Sequence, residues 1–115
     1  MNKPDLNKLI SLRRELHQHP ELSGKEKNTA SKLKTFFKDF PPDGMIDGLG
    51  PHGLAIIFNG KEKGATTLIR AELDGISIQE EGKKEYISKT PGVSHTCGHD
   101  GHMTIVCGVG MKLAA

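Results

Sequence analysis

The chain has 115 residues and a formal net charge of +2 at pH 7, with 35% hydrophobic and 26% charged residues. This length suffices for one small domain with a modest core, and the nearly balanced charge excludes the basic footprint of a nucleic-acid-binding domain. Two cysteines do not make a disulfide scaffold. With no apolar stretch fit for a signal peptide or a membrane span, a cytoplasmic location without membrane or nucleic-acid partners is expected.

The first predicted helix is amphipathic, with leucine and isoleucine side chains spaced three and four residues apart. Asp5 is its predicted N-cap, and Pro20 ends it because the residue before a proline avoids the α region. His17 and His19 fall in the last turn. There the helix dipole favours donor side chains, so a role at the helix terminus is the preferred interpretation.

A second helix is predicted from about Gly24 to Phe40. Ser23 and Glu26 have the S-x-x-E spacing of a capping box, and the apolar positions again form one stripe. The proline pair that follows Phe40 stops the helix.

Two β-rich runs follow, and they predict an antiparallel hairpin. The first run, Gly53–Phe58, reads GLAIIF, and the second, Ala65–Ala71, reads ATTLIRA. A turn begins between them at Asn59-Gly60. Glu72 and Asp74 come just past the second run, where α/β proteins often place functional groups.

Side chains that can bind a metal are concentrated between residues 94 and 102, which read SHTCGHDGH. Cys97 and His99 are two residues apart, so they can converge on one ion from an extended or turn segment. Thiolate and neutral imidazole both suit zinc and neighbouring transition metals. Each residue also has an ordinary explanation, as a buried small hydrophobe or a polar loop side chain. Their clustering favours a metal, although zinc usually takes at least three protein ligands.

A last helix is predicted from Gly101 or His102 onward, with Asp100 as its cap. It is apolar, so Cys107 is expected to point into the core. Gly108 and Gly110 lower helix propensity but permit close packing. The element order is therefore α-α-β-β-loop-α, an α/β fold whose sheet is incomplete.

Four blocks of the chain resemble the N-terminal segment of the M20 metallopeptidase family, in its amidohydrolase branch. LRRELHQHPEL at 12–22 resembles the branch's first helix, and 48–60 resembles its first strand. RAELDGISIQE at 70–80 resembles its R-A-D-x-D-A-L-P-I-x-E block. PGVSHTCGHDGH at 91–102 resembles P-G-x-x-H-A-C-G-H-D-x-H, which is the most specific of the four.

The resemblance implies the N-terminal part of a zinc-peptidase-like catalytic domain over residues 1–115, without the lid domain and the C-terminal catalytic half. It implies a hydrolase that cleaves N-acyl amino acids or small peptides with two divalent ions, zinc, manganese, nickel or cobalt. Cys97 and His99 match the family's metal ligands, and Asp74 matches the acidic residue that supports the site. Glu72 stands where the family usually has Asp. The family's Glu pair, which includes its general base, has no counterpart in these 115 residues, so the chain alone is expected to be inactive. For the full-length family, the resemblance also implies homo-oligomers.

Two other interpretations stay open at this point. The chain could be a non-catalytic metal-binding or interaction module that has kept the motif, or a structural zinc domain unrelated to hydrolysis. A structural site would find four ligands within these residues. Besides Cys97 and His99, the further candidates for ligands or for groups that contact the metal site or the substrate are His95, Asp100, His102, Glu72, Asp74, His52 and Cys107.

Overall fold

A computed structural model describes residues 1–115. The chain forms three helices and a two-stranded antiparallel sheet, in the order α1 (Lys3–Gln18), α2 (Lys27–Phe36), β1 (Gly44–Leu49), β2 (Gly53–Ile57) and α3 (His99–Ala114). The predicted α/β class is confirmed. No helix has both the length and the apolar character needed to cross a membrane.

Helix α1 begins at Lys3, three residues earlier than an N-cap at Asp5 would allow. Its N-cap is Asn2, whose Oδ1 accepts a hydrogen bond from the Asp5 N–H at 2.9 Å. Asp5 instead lies inside the first turn, where its negative charge complements the helix dipole. The prediction of Asp5 as cap was wrong because Asn2 offers the same kind of acceptor one turn earlier.

Helix α2 is shorter than the predicted span of 24–40. Its N-cap is Glu26, which makes no side-chain capping bond, so the predicted capping box does not form. Glu21 takes over that task from upstream, because its carboxylate accepts from the backbone N–H and the hydroxyl of Thr29. The orphan donors of the first turn are thereby satisfied by a residue outside the local motif.

A hairpin forms, but its first strand is β1, which the sequence did not predict as a partner of the run 53–58. Strand β2 pairs with β1, with Met45 opposite Ile56 and Ile46 opposite Ala55. The run 65–71 forms no strand, and its residues 65–70 are exposed. The prediction failed because β propensity reports packing against neighbouring strands, and no strand pairs with this run.

Helix α3 starts at His99, with Gly98 as N-cap at φ 92°. That left-handed conformation is accessible to glycine at little cost, and it turns the chain from the motif segment into the helix. Asp100 is therefore not the cap that the sequence predicted. It lies in the first turn with 1% of its surface exposed, because the glycine turn brings it inside.

The core lies where α1 and α2 pack against α3, and β2 covers it from one side. Its buried members are Leu9, Leu12, Leu16, Leu33, Phe37, Met103, Cys107 and Met111. Side chains from β2 and from the segment before Asp74 pack around this cluster, namely Leu54, Ile56, Phe58, Ala71 and Leu73. Cys107 is 4% exposed, so its predicted place in the core is confirmed.

Gly110 is where α3 approaches the aromatic part of the core most closely. A Cβ there would lie 2.6 and 2.9 Å from ring carbons of Phe37 and 3.2 Å from Phe58. The Phe37 ring is buried and packs edge-on against Phe36, so it has little room to move.

We expect Gly110→Ala to lower the free energy of unfolding by about 1–3 kcal/mol, because overpacking outweighs the gain in helix propensity. Gly101→Ala is the matched control, since a Cβ at Gly101 meets nothing within 4 Å. It should be neutral or stabilising by up to about 1 kcal/mol. Urea denaturation of both variants checks this, and equal stabilities would contradict the packing.

Candidate metal centre

Three side chains with metal-binding atoms meet at the start of α3. Atoms of Glu72, Asp74 and His99 lie within 4.8 Å of one another, one ligand atom from each residue. Two of these residues come from the segment before the long 75–98 connection, and the third comes from the motif turn. From the sequence, Glu72 and Asp74 were predicted to lie close to the 94–102 segment. The structure places them there, although no strand precedes them.

Hydrogen bonding fixes the tautomer of His99. Its Nδ1 lies 2.8 Å from the backbone carbonyl oxygen of Asp74 and 3.1 Å from Asp74 Oδ1. A carbonyl oxygen only accepts, so Nδ1 must carry the proton and donate. In the neutral ring, Nε2 is then the free ligand atom. Proteins commonly orient a metal-binding histidine in this way.

The free nitrogen faces a second acceptor. His99 Nε2 lies 3.3 Å from Glu72 Oε2, and two lone pairs at that distance repel unless a cation or a proton lies between them. Ligands about 2.0–2.2 Å from a tetrahedral ion are roughly 3.4 Å apart. The spacing of this pair therefore fits a divalent cation. The extra methylene of Glu72 does not keep its carboxylate away from the histidine.

Cys97 is partly buried next to this group but is not one of its three members. Its Sγ lies 4.0 Å from the Asp74 carbonyl oxygen, the same atom that accepts from His99. Cys97 and His99 thus both approach the same backbone oxygen. Whether both bind one ion stays a prediction.

His95 is buried beside the centre without a hydrogen-bond partner. It is 2% exposed, and neither of its ring nitrogens makes a hydrogen bond within the chain. Burial lowers the pKa of this ring, and the nearby charges of His17 and His99 act in the same direction, against the carboxylates of Asp100 and Asp74. His95 is therefore neutral at pH 7 and offers a lone pair.

The other two motif residues point elsewhere. His102 is exposed, with its ring centre 6.0 Å from that of His99. Asp100 is buried, and its Oδ2 makes an ion pair with Arg13 Nε at 2.9 Å and a hydrogen bond with His17 Nδ1 at 2.8 Å. Asp100 therefore contacts α1 rather than the group of three.

His17 lies in the last turn of α1, as the sequence predicted, and its ring nitrogens also contact two carboxylates from distant segments. Its ring is 5% exposed and lies between Asp100 and Glu80, with Nε2 2.7 Å from Glu80 Oε2. Position in the last turn predicted a dipole role, but the chain folds two distant carboxylates over that turn. Only the match of LHQHPEL to a known block singled out this histidine in the sequence.

Comparison with known proteins finds relatives that match most of this chain. An N-acyl-L-amino acid amidohydrolase of Geobacillus stearothermophilus is 39% identical over 102 residues, which are 87% of this chain and 27% of that protein. An N-acetylcysteine deacetylase of Bacillus subtilis is 35% identical over 106 residues, 92% of this chain and 28% of that protein. No protein-family model matches the chain.

The crystal structure of the Bacillus subtilis YXEP protein, described as a dinuclear metal-binding peptidase of the M20 family, superposes with a TM-score of 0.93. The match has 34% sequence identity and covers 99% of this chain and 32% of that one. The chain is homologous to the N-terminal part of M20 amidohydrolases. It spans between a quarter and a third of the length of these relatives, and its arrangement of three helices and a hairpin is that of the N-terminal part of M20 peptidases.

The two thiols of this M20 homologue should differ sharply in reactivity. Burial raises the pKa of Cys107 to about 12, and the thiolate is the reactive form. At pH 8 a disulfide reagent should therefore modify Cys97 rapidly and Cys107 only after denaturation. Peptide mass mapping after short labelling checks this, with Cys97→Ser as control. Equal labelling of both thiols in the native chain would contradict the structure.

Proposed function

We propose that these residues form the N-terminal part of a metal-dependent amidohydrolase domain that cleaves the amide bond of N-acyl amino acids or small peptides. The observation that carries the proposal is the pairing of His99 Nε2 with Glu72 Oε2 at 3.3 Å, inside the segments that align with the M20 relatives. Two of those relatives are described as acting on N-acyl-L-amino acids and on N-acetylcysteine.

Four side chains have different proposed roles in binding the cation. Cys97 and His99 are the proposed metal ligands, and Glu72 is a further donor on the exposed side. Asp74 is the supporting acid, because its carbonyl and its carboxylate keep the proton on Nδ1 and leave Nε2 free. Zinc suits a thiolate and imidazole set, while manganese, nickel and cobalt also accept nitrogen and oxygen donors.

When bound, divalent ions in such a site lower the pKa of a water molecule and polarise the carbonyl oxygen of an amide. The chain's own contribution is orientation. Asp74 holds the ring of His99 through hydrogen bonds to Nδ1. His99 is also the first residue of α3, so the helix fixes the position of the His99 Cα. Glu72 is half-exposed and is paired with Arg70 at 3.1 Å. Its carboxylate therefore faces both solvent and the free imidazole nitrogen, as a group at the mouth of the site should.

Removal of His99 should abolish tight metal binding. We expect His99→Ala to weaken the zinc Kd by more than about 100-fold, because loss of a ligand exceeds the 10–100-fold effect of losing a residue that only supports one. His19→Ala is the control, since that ring is 40% exposed and contacts only Glu15 at 3.5 Å. Isothermal titration calorimetry gives both constants. Equal affinities in the two variants would exclude this centre.

The 115 residues by themselves should bind metal but turn over poorly. They bring together one histidine and two carboxylates, whereas a two-metal site needs more ligands and a positioned base, whose loss typically costs 10²–10⁴-fold. The test is an assay on hippurate and N-acetyl amino acids with zinc, manganese or cobalt. Turnover near 1 s⁻¹, within the ordinary enzyme range, that disappears in Cys97→Ala would overturn the expected inactivity.

A further inference from the structure

Each of the two ring nitrogens of His17 contacts a buried or largely buried carboxylate at less than 3 Å. Nδ1 lies 2.8 Å from Asp100 Oδ2 and Nε2 lies 2.7 Å from Glu80 Oε2. All three side chains are largely withdrawn from water, at 6%, 1% and 11% exposure. The ring also packs edge-on against Tyr86, with the ring centres 5.6 Å apart.

The two contacts determine how the charge of this ring follows from its neighbours. If both carboxylates are ionised they only accept, so both ring nitrogens donate, and an imidazole with two N–H groups is a cation. Burial tends to raise the pKa of Glu80, but the Ser88 N–H, the hydrogen bond and charge of His17, and the charge of Lys84 outweigh it and lower that pKa. Glu80 is therefore an acceptor at pH 7.

The carboxylates of this group have cationic partners. Asp100 Oδ2 also forms an ion pair with Arg13 Nε at 2.9 Å, so two carboxylates face one guanidinium and the His17 ring. A set of paired charges avoids the cost of an isolated buried charge, whereas removal of one member leaves its partners uncompensated. The arrangement is therefore sensitive to the loss of His17.

The same ring joins the two segments that build the metal centre. Asp100 directly follows His99 in the first turn of α3. Glu80 ends the segment that begins at Glu72, and its Oε1 accepts from the Ser88 N–H at 2.7 Å. Between these anchors, Ile76 and Ser94 exchange two backbone hydrogen bonds at 2.9 and 3.0 Å. Both sides of the centre are thus anchored to the last turn of α1.

We propose that His17, as a buried cation, is a positioning residue that holds His99 against Asp74 by anchoring Asp100 and Glu80. The inference rests on the proposed metal centre for its functional meaning, but the contact that it predicts can be measured without metal. His17 touches neither the ion nor substrate. It acts through the backbone of α3 and of the 72–80 segment.

The test is histidine ring NMR on the full 115-residue chain labelled with ¹⁵N, together with zinc calorimetry. In the wild-type chain at pH 7, both His17 nitrogens should carry protons, and His99 should show a protonated Nδ1. In His17→Gln the His99 ring should move toward the mixed tautomers of a free imidazole. Its zinc Kd should weaken about tenfold, the low end of the range for residues that support a ligand.

Two further variants keep the result interpretable. His19→Gln, two residues further on at the C-cap of α1 and with 40% of its side chain exposed, should leave the His99 signals and the zinc Kd unchanged. Glu80→Gln offers an amide donor to Nε2, so it keeps a hydrogen bond while allowing the ring to lose its charge. It should shift the His99 signals in the same direction as His17→Gln but by less, and it serves as the readout if His17→Gln does not fold by circular dichroism.

The outcomes separate the inference from the proposed function. If the variants at positions 17 and 80 only lower Tm, while the His99 signals and the zinc Kd match those of His19→Gln, His17 is purely structural and the inference fails. A wild-type His17 with one unprotonated nitrogen would overturn it as well. If the wild-type chain binds no zinc but His99 loses its Nδ1 proton signature in His17→Gln, the positioning role stands and the metal centre fails.

Discussion

The rest of the structure depends on one buried imidazole between two carboxylates. The hydrogen bonds of His17 to Asp100 and Glu80 tie the last turn of α1 to the first turn of α3 and to the loop that follows Asp74. Such a set is costly to bury and specific in geometry, because every donor must find its acceptor. It allows one relative placement of the three segments, and the candidate metal centre is built at their junction.

The apolar core supplies the stability that this polar junction does not. Leu9, Leu12 and Leu16 present one face of α1 to α3, and burial of a leucine side chain stabilises by roughly 1.5–3 kcal/mol. The core meets the metal centre through Leu73, which packs against the cluster while its neighbours Glu72 and Asp74 face His99. Alternation along an extended segment thus connects the core with the donor atoms.

Chemistry at the centre comes from a backbone carbonyl as much as from side chains. The Asp74 carbonyl oxygen fixes the His99 tautomer, and Cys97 approaches the same oxygen. A backbone acceptor cannot change its charge, so it orients the imidazole over a wide range of pH. The Asp74 carbonyl oxygen keeps the proton on His99 Nδ1, and His99 Nε2 is left free and faces Glu72. This arrangement suits a bound cation between Nε2 and Glu72 better than a direct ion pair between the two side chains.

Periodicity and composition determined much of this protein from sequence alone. The apolar stripes predicted the helices and the burial of Cys107, and the spacing of Cys97 and His99 marked the segment that contributes His99 to the candidate metal centre, because donor type and helical period are local properties. Only the tertiary structure decided that β1 rather than 65–71 pairs with β2, that Glu72 reaches His99, and that His17 lies between Asp100 and Glu80. These contacts depend on which segments meet in the folded chain, and no local pattern records the free energy of such a meeting.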